Sequence, residues 1–289
     1  MTPPQPVPPR AVFITGTSSG IGAACALDLV ERGFRVFAGV RQPADGERLR
    51  QSAGENLVPV LVDVTDEGTI RAAAAEIDAA VGLAGLAGLV NNAGIVVPGP
   101  LELLPTSAFR RQLEVNVLGT HAVTRALLPS IRRAQGRIVI IGSISGLVAP
   151  PFIGAYAASK HALEGLAAAL RAELVPWRIR VSIIEPDSIA TPIWEKLDHT
   201  MSELDYDGSP EVRQAYDEAF RQVRVGSMRL GRSGSPTSTV VRAVAHALSA
   251  RWPKAHYPLG WRPLLAFGGA RHVPPALLDR ILRRSMGLR

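Results

Sequence analysis

Apolar segments of strand length alternate with helix-forming stretches over the first 185 residues of the chain. Several of these segments, such as RIVII and RVSII, are nearly continuous apolar runs, which are typical of strands buried on both faces of a parallel sheet. Six strands are predicted, at Ala11–Thr15, Arg35–Val40, Leu57–Val62, Gly88–Asn91, Arg137–Ile141 and Arg178–Ile184. Helices are predicted between them, among them Glu67–Val81 and Ala155–Leu174. This alternation predicts an α/β fold with a doubly wound, Rossmann-like parallel sheet and right-handed crossovers.

The pattern changes after Thr191. Residues 192–234 are polar, carry charges of both signs and contain several glycines, and a helix is predicted again over Ser235–Arg251. An insertion after the sixth strand falls at the carboxyl edge of the sheet, where open α/β folds bind ligands. We therefore expect residues 192–234 to form a substrate loop or lid, with a surface insertion of no function as the alternative.

The two ends of the chain differ from its body. Five prolines in the first nine residues predict an extended, mobile tail rather than a secretory signal, and residues 10–289 are assigned to a single domain. Residues 275–286 predict a basic amphipathic helix. Its apolar positions are Leu277, Leu278, Ile281 and Leu282, and its basic ones are Arg280, Arg283 and Arg284. Such a helix either packs on the body or a second subunit, or lies on a membrane surface.

Composition narrows the classes of partner and the compartment. Hydrophobic residues make up 47% of the 289 residues and charged residues 20%, and no apolar run reaches the length of a transmembrane helix. The net charge of +7 comes without the signature of a nucleic-acid-binding module, so no nucleic-acid partner is expected, and no metal site is expected either. The single cysteine, Cys25, lies among alanines and is expected to be buried, in agreement with a cytoplasmic protein.

A glycine-rich turn follows the first predicted strand. The sequence TGTSSGIG occupies residues 15–22, and a helix is predicted to follow it. Glycines at 16, 20 and 22 permit a tight turn and a close approach of the backbone to a pyrophosphate, while the N-terminus of the helix offers free N–H groups to the phosphates. The position of this turn between strand and helix predicts a dinucleotide site.

The end of the second strand bears on the choice of cofactor. An acid at this place binds the ribose 2′-hydroxyl of NAD, whereas an arginine accommodates the 2′-phosphate of NADP. The strand here ends in Val40 and Arg41, and the first acid after it is Asp45. Arg41 favours NADP(H), with NAD(H) as the alternative because a surface arginine after a strand is commonplace.

A candidate acid/base pair lies in the helix predicted after the fifth strand. Tyr156 and Lys160 are four residues apart, so their side chains rise from one face of that helix. A free tyrosine has a pKa of about 10, and a neighbouring ammonium lowers it toward a useful range. Ser143 directly follows the fifth strand, where its hydroxyl could orient a substrate oxygen.

Taken together and in order, these motifs resemble the short-chain dehydrogenase/reductase family over about residues 10–191. The set comprises TGxxxGIG at 15–22, Asn91-Asn92-Ala93-Gly94 after the fourth strand, Asn116 in a helix, Ser143, Tyr156 and Lys160. The resemblance implies that Tyr156 is the general acid/base and that Ser143 holds the substrate oxygen. It implies that Lys160 lowers the pKa of Tyr156 and binds the nicotinamide ribose, and that Asn116 holds a water in a proton relay.

The resemblance also implies a set of cofactor contacts. They fall on Gly16, Ser18, Ser19, Gly20, Ile21, Gly22, Arg41, Asp63, Val64, Asn92, Ala93, Gly94, Tyr156, Lys160, Pro186, Ile189 and Thr191. Read singly, Asp63 could instead be a helix cap and Asn116 a buried hydrogen-bonding residue. One position departs from the family pattern, since Asp187 stands where a glycine is usual. Aspartate tolerates positive φ poorly and brings a carboxylate toward the nicotinamide ring.

We therefore expect an NAD(P)-dependent oxidoreductase that moves a hydride between the nicotinamide and a secondary alcohol or ketone. Phrases such as VFAGVR and VSIIEP resemble the branch of the family that acts on retinoids and hydroxysteroids, and apolar residues around Ser143 suit an apolar substrate. A 3-oxoacyl thioester reductase and a non-catalytic NADP-binding redox sensor are the alternatives. The resemblance further implies a homodimer or homotetramer.

Overall fold

The computed structural model describes residues 10–263 and 273–285. The predicted tail, residues 1–9, and residue 286 of the predicted last helix lie outside the described residues. Seven parallel strands form one sheet in the order β3-β2-β1-β4-β5-β6-β7. The strands are β1 (Ala11–Ile14), β2 (Arg35–Val40), β3 (Leu57–Leu61), β4 (Gly88–Asn91), β5 (Arg137–Ile141), β6 (Arg180–Pro186) and β7 (His256–Leu259). The predicted doubly wound parallel sheet is confirmed.

Helices cover both faces of the sheet. They are α1 (Gly20–Glu31), α2 (Pro43–Ala53), α3 (Glu67–Val81), α4 (Thr106–Leu113), α5 (Gly119–Ala134), α6 (Gly154–Glu173), α7 (Ile193–Glu203), α8 (Pro210–Arg232), α9 (Thr237–Ser249) and α10 (Pro275–Ser285). Val12 and Ile14 point into a core shared with α1 and α9, whereas Ala11 and Phe13 point into a core shared with α3 and α5. Burial on both faces is the reason that the strands read as continuous apolar runs.

The sixth and seventh strands differ from the sequence expectation. β6 begins at Arg180 rather than Arg178, because Arg178 has a φ of 56° and ends a short 3-10 turn. β7 was not predicted. It has four residues, includes Pro258 and pairs only with β6 among the described strands, and a short edge strand with a proline carries little periodic signal.

Residues 192–234 are mostly helical, so the expectation of a loop was wrong about their secondary structure. α7 and α8 account for most of the segment, and α8 is anchored by edge-to-face contacts of Phe220 with Phe152 and Tyr206. Phe152 has a φ of 65°, a left-handed conformation that is costly for an aromatic residue. The aromatic contacts hold Phe152 in this conformation, close to the start of α6.

Candidate active site

A cavity of about 1340 Å³ opens at the carboxyl ends of the strands. Its lining includes the turn between β1 and α1, the side chains of Ser143 and Tyr156, and residues of α7, α8 and α10. This is the edge at which open α/β sheets bind ligands, and the volume exceeds the ~300–1,000 Å³ of a usual small-molecule pocket. The cavity therefore has room for a dinucleotide and a second molecule.

The turn between β1 and α1 leaves no room for side chains. Gly16 has a φ of 68°, and a Cβ there would lie 2.9 Å from the Cα of Ala93. A Cβ on Gly22 would lie 2.3 Å from the carbonyl oxygen of Gly16. Asn92 fixes the turn, since its Nδ2 donates to the carbonyls of Thr15 and Gly16, at 2.9 Å each. The glycines are thus required by backbone contacts.

The first turn of α1 is open to the cavity. Ser19 is the N-cap residue but makes no side-chain capping bond, and Gly20 and Ile21 line the cavity. Uncapped N–H groups at the N-terminus of a helix bind phosphate through hydrogen bonds and the helix dipole. The turn and the helix end therefore fit the pyrophosphate of a dinucleotide.

Positive charge gathers at the end of the cavity next to β2 and β3. Arg41 and Asp63 line this part, together with Arg111 from α4, which sequence reasoning missed. Burial raises the pKa of Asp63, but hydrogen bonds from Thr65 and the charges of Arg41 and Arg111 outweigh burial and lower the pKa overall. Two guanidinium groups beside one ionised carboxylate can receive both a ribose hydroxyl and a phosphate.

Ser143 and Tyr156 meet in the middle of the cavity. Ser143 is the N-cap of the 3-10 turn Ile144–Gly146 that follows β5, and its Oγ accepts a hydrogen bond from the N–H of Ser145 at 3.1 Å. Tyr156 lies in the first turn of α6, its side chain and that of Ser143 both line the cavity, and Ser143 acts to lower the pKa of the phenol. The two hydroxyls can hold one substrate oxygen between them.

Lys160 lies one turn further along α6 and is buried. Its Nζ donates to the carbonyl of Ile141 at 2.7 Å and lies 5.6 Å from the centroid of the Tyr156 ring. Burial lowers the pKa of Lys160 to about 8, and the nearby Glu164 opposes this effect. We expected Lys160 to lower the pKa of Tyr156, but in this structure burial raises that pKa, and of its neighbours only Ser143 opposes the rise. The part of Lys160 in catalysis stays a prediction.

Asn116 lies on a π-helical turn, Glu114–Leu118, between α4 and α5. Its side chain is 1% exposed, and its Oδ1 accepts from the N–H of Ile95 at 2.9 Å while its Nδ2 donates to Ser159 Oγ at 3.0 Å. The side chain is thus occupied in joining the loop after β4 to α6. The predicted part of Asn116 in a proton relay stays a prediction.

The segment after β6 borders the region next to Tyr156 and Lys160. Pro186, Ile189 and Thr191 line the cavity there, as predicted from the resemblance. Asp187 is not among the residues with positive φ, so the expected strain is absent from this position. Its Oδ1 accepts from the N–H of Ser188 at 2.9 Å, and its Oδ2 lies 4.0 Å from Nε of Arg262. The carboxylate is therefore partly neutralised before any cofactor binds.

Apolar side chains form a large part of the cavity wall. They include Val148 and Ile153 before α6, Trp194 and Leu197 on α7, Leu230 on α8, and Leu278, Ile281 and Leu282 on α10. The packing of α10 along the cavity could not be read from the sequence, since its apolar stripe suits many neighbours equally well. This wall suits an apolar ligand.

The structure places the predicted site residues around one cavity, with two exceptions. All of them line it except Gly22, which packs against Gly16 and Asn92, and Asn116, which is buried behind the loop after β4. A glycine turn that fits a pyrophosphate, next to a Ser-Tyr-Lys set, defines a nicotinamide-nucleotide-dependent oxidoreductase.

Comparison with known proteins gives the family. The model of the short chain dehydrogenase family matches residues 10–202. The chain belongs to the short-chain dehydrogenase family, an oxidoreductase family, as the motifs predicted.

Two curated relatives are similar over nearly the whole chain. Retinol dehydrogenase 5 of Mus musculus is 38% identical over 277 residues, covering 94% of this chain and 87% of the relative. The 17-beta-hydroxysteroid dehydrogenase type 6 of Bos taurus is 36% identical, covering 96% and 88%. Among solved structures, a short chain dehydrogenase from Burkholderia cenocepacia in complex with NADP superposes with a TM-score of 0.72 at 27% identity, over 95% of this chain and 98% of that one.

Proposed function

We propose that this oxidoreductase prefers NADP(H) and interconverts an apolar alcohol and its ketone or aldehyde, a steroid or retinoid in chemical class. The observation that carries the proposal is a single cavity lined by the phosphate-binding turn, by Ser143 and Tyr156, and by apolar residues of α7, α8 and α10. Relatives named as retinol and hydroxysteroid dehydrogenases support the class of substrate.

The bound cofactor supplies or accepts the hydride. During reduction the hydroxyls of Ser143 and Tyr156 hold the carbonyl oxygen, and Tyr156 gives it a proton as the oxygen gains negative charge. Lys160, charged and over the ring, stabilises the phenolate that remains. Fixing both hydroxyls on the same side of the substrate oxygen orients it, which removes part of the entropic barrier.

A substrate panel tests the proposal. The purified enzyme is mixed with NADPH and a 3- or 17-ketosteroid, retinaldehyde, or a 3-oxobutyryl thioester, and the absorbance of NADPH is followed. We expect the ketosteroid or retinaldehyde to be reduced with a higher kcat/KM than the thioester. A higher kcat/KM for the thioester would favour the thioester reductase, and binding of NADPH without consumption on any substrate would favour the redox sensor.

The preference for NADP(H) is supported by Arg41 and Arg111 beside Asp63. Arg41→Asp should weaken NADPH binding by about 10- to 100-fold, the loss of one charge-assisted contact of roughly 1.5–3 kcal/mol, and should leave NADH binding nearly unchanged. Fluorescence titration with both cofactors measures this, and Arg48→Asp, an exposed arginine outside the cavity wall, is the matched control. Equal losses for the two cofactors would reject the assignment of Arg41 to the 2′-phosphate.

We also propose that residues 192–234 act as a substrate lid. Support comes from α7 and α8, which place Trp194, Leu197 and Leu230 in the cavity wall. The segment is joined to the body by the contact of Phe220 with Phe152 and by the hydrogen bond that the Tyr206 hydroxyl donates to the carbonyl of Pro98 at 3.1 Å. A lid of this kind excludes water from the hydroxyls of Ser143 and Tyr156 when substrate is bound.

A second function, contact with a membrane surface, is favoured by the exposed face of α10. Leu277 and Ile281 are 49% and 51% exposed, Trp261 near the same cavity mouth is 68% exposed, and Arg280 and Arg284 lie on the same helix. No helix within the described residues is long and apolar enough to span a bilayer. An apolar face with arginines around it binds anionic lipid surfaces without crossing them.

Vesicle co-sedimentation tests this contact. With vesicles rich in phosphatidylserine, Leu277→Asp/Ile281→Asp should lose most of the bound fraction, whereas Leu83→Asp, at a still more exposed leucine away from α10, should keep it. Equal sedimentation of both variants would remove the membrane role and leave α10 as a wall of the cavity. A homodimer or homotetramer and a cytoplasmic location stay proposals, and light scattering during gel filtration measures the first.

A further inference from the structure

Three titratable side chains lie together behind Lys160, outside the set of residues that line the cavity. Glu164 belongs to α6, Glu185 to β6 and His256 to β7. Nδ1 of His256 lies 2.7 Å from Oε1 of Glu185 and 3.7 Å from Oε2 of Glu164. The imidazole therefore stands between two carboxylates, and we name these three residues the Glu-Glu-His cluster.

The Glu-Glu-His cluster is connected to the active site by helix α6, which carries residues of both. Tyr156, Lys160 and Glu164 follow one another at intervals of four residues, so they occupy one face of the helix. The charges of Lys160 and Glu164 act on each other, since each favours the ionised form of its neighbour. Glu164 is thus an anionic neighbour of the Lys160 ammonium on the side opposite Tyr156.

Burial opposes the charge on every member of this set. It raises the pKa of Glu164 to about 7, with Glu185 adding to the rise, and it raises the pKa of the fully buried Glu185 to about 7. Burial also lowers the pKa of His256, with Glu164 opposing and Arg171 adding to that effect. Two buried carboxyl groups at one place keep both charges only when a cation faces them.

A guanidinium and an imidazole ring act on the carboxyl groups. Arg171 on α6 lowers the pKa of each through its charge, and the ring of His256 on β7 contacts both. Glu185 also accepts from the N–H of Tyr257 at 2.9 Å, whereas Oε1 of Glu164 has no hydrogen-bond partner among the described residues. The charge of Glu164 therefore depends on its neighbouring cations more than the charge of Glu185 does.

We propose that Glu164 is a positioning residue that keeps Lys160 charged during catalysis, and that the ring of His256 holds the carboxyl group of Glu164 in place. This inference rests on the proposed function, because it assigns a role in the same reaction. It makes the edge strand β7, outside the cavity, part of the acid/base machinery.

The sign of the expected pH effect follows from the reduction step. Reduction uses Tyr156 in its protonated form with Lys160 charged beside it, so the rate falls as pH rises through the pKa of Lys160, about 8. Glu164 holds this pKa up against burial. Neutralising Glu164 lowers the pKa of Lys160 further, and the fall in rate then begins at lower pH.

The test is the pH profile of kcat/KM for NADPH-dependent ketone reduction between pH 6 and 10. Glu164→Gln should move the basic limb to lower pH by about half a unit or more, the usual scale of one nearby charge. His256→Gln, which removes the contact of the ring with Glu164, should move it in the same direction by a smaller amount. Glu173→Gln, the same change at an exposed position on the same helix, is the matched control and should leave the profile in place.

Several outcomes would overturn the inference. A uniform loss of rate in Glu164→Gln at every pH, or an unmoved limb, would leave only a structural role. An unmoved limb in His256→Gln would show that His256 does not hold Glu164 in place. Since the ligand atoms of the Glu-Glu-His cluster lie within 4.8 Å of one another, loss of wild-type activity with EDTA and its recovery with Zn²⁺ would instead identify a metal site.

A second measurement separates this inference from the proposed function. Acylation of Lys160 in the cofactor-free protein, followed against pH by mass spectrometry, reports the pKa of Lys160 without turnover. We expect the midpoint to fall in Glu164→Gln and to stay in Glu173→Gln. If no ketone is reduced by the wild type, the proposed function fails, and the acylation midpoints still support or reject the link between Glu164 and Lys160.

Discussion

The two halves of the cavity differ in the atoms that form their walls, which are mainly backbone in one half and mainly side chains in the other. The half next to β1 is closed by backbone, where a Cβ on Gly22 would meet the carbonyl of Gly16 at 2.3 Å and Asn92 bonds to two carbonyls of the turn. The half next to α7 and α8 is closed by side chains from a small separate core around Phe152, Leu197 and Val223. Backbone contacts admit almost no substitution, whereas side chains can be exchanged one by one. Binding of the cofactor therefore depends on the geometry of the backbone, and binding of the substrate depends on side chains that can be replaced.

The largest effect should come from the residue between the two halves. Tyr156→Phe removes the proton that reaches the substrate oxygen and should lower kcat by about 10²- to 10⁴-fold. The substitution removes only a hydroxyl group and leaves the lining of both halves of the cavity in place, so the Kd for NADPH should change little. Stopped-flow turnover and cofactor titration measure the two quantities, and a near-native kcat would show that another group supplies the proton.

The second largest effect is expected from a substitution in the glycine-rich turn, in the backbone half of the cavity. Gly22→Ala forces a Cβ against Gly16 and Asn92, and overpacking of roughly 1–3 kcal/mol corresponds to about 10- to 100-fold weaker NADPH binding. Gly165→Ala is the control, because a Cβ at this exposed position of α6 meets nothing within 4 Å. It should raise the thermal midpoint slightly through helix propensity. Normal NADPH binding by Gly22→Ala would contradict the comparison.

In the side-chain half of the cavity, a substitution should change the KM for the substrate rather than the Kd for the cofactor. Phe220→Ala removes the edge-to-face contacts with Phe152 and Tyr206, worth about 0.5–1.5 kcal/mol each, and should raise KM for an apolar ketone several-fold. The Kd for NADPH should stay within about twofold of the wild type, because Phe220 is not among the residues that line the cavity. Val225→Ala, at an exposed position of α8, serves as the control. A parallel loss of NADPH affinity would show that the two halves are coupled.

The smallest effect is expected at Asp187, where the halves meet. Asp187→Gly restores the residue usual for the family but relieves no strain, since the φ of Asp187 is not positive. It removes the contact with Arg262 at 4.0 Å, and a partly exposed pair of this kind contributes about 0–1 kcal/mol. The Kd for NADPH should therefore change by less than about fivefold in a fluorescence titration. A larger gain in affinity would mean that the carboxylate does act on the cofactor.

The sequence by itself determined the sheet, the dinucleotide turn and the family. Residues 11–14 read as a buried strand because both faces of β1 are covered, and Gly16 and Gly22 stand out because the local backbone excludes any side chain. The spacing of Tyr156 and Lys160 follows from one helical turn. These features depend on local geometry, which leaves a periodic or compositional signal.

Only the tertiary structure decided which distant residues share a site. Arg111 reaches Asp63 from a helix more than forty residues away, α10 brings Leu278 to the cavity, and His256 joins Glu164 and Glu185 across three elements. It also placed Asn116 in buried hydrogen bonds and gave Asp187 an unstrained backbone. Charge and burial at these positions depend on neighbours supplied by other elements, and no local pattern in the chain encodes those neighbours.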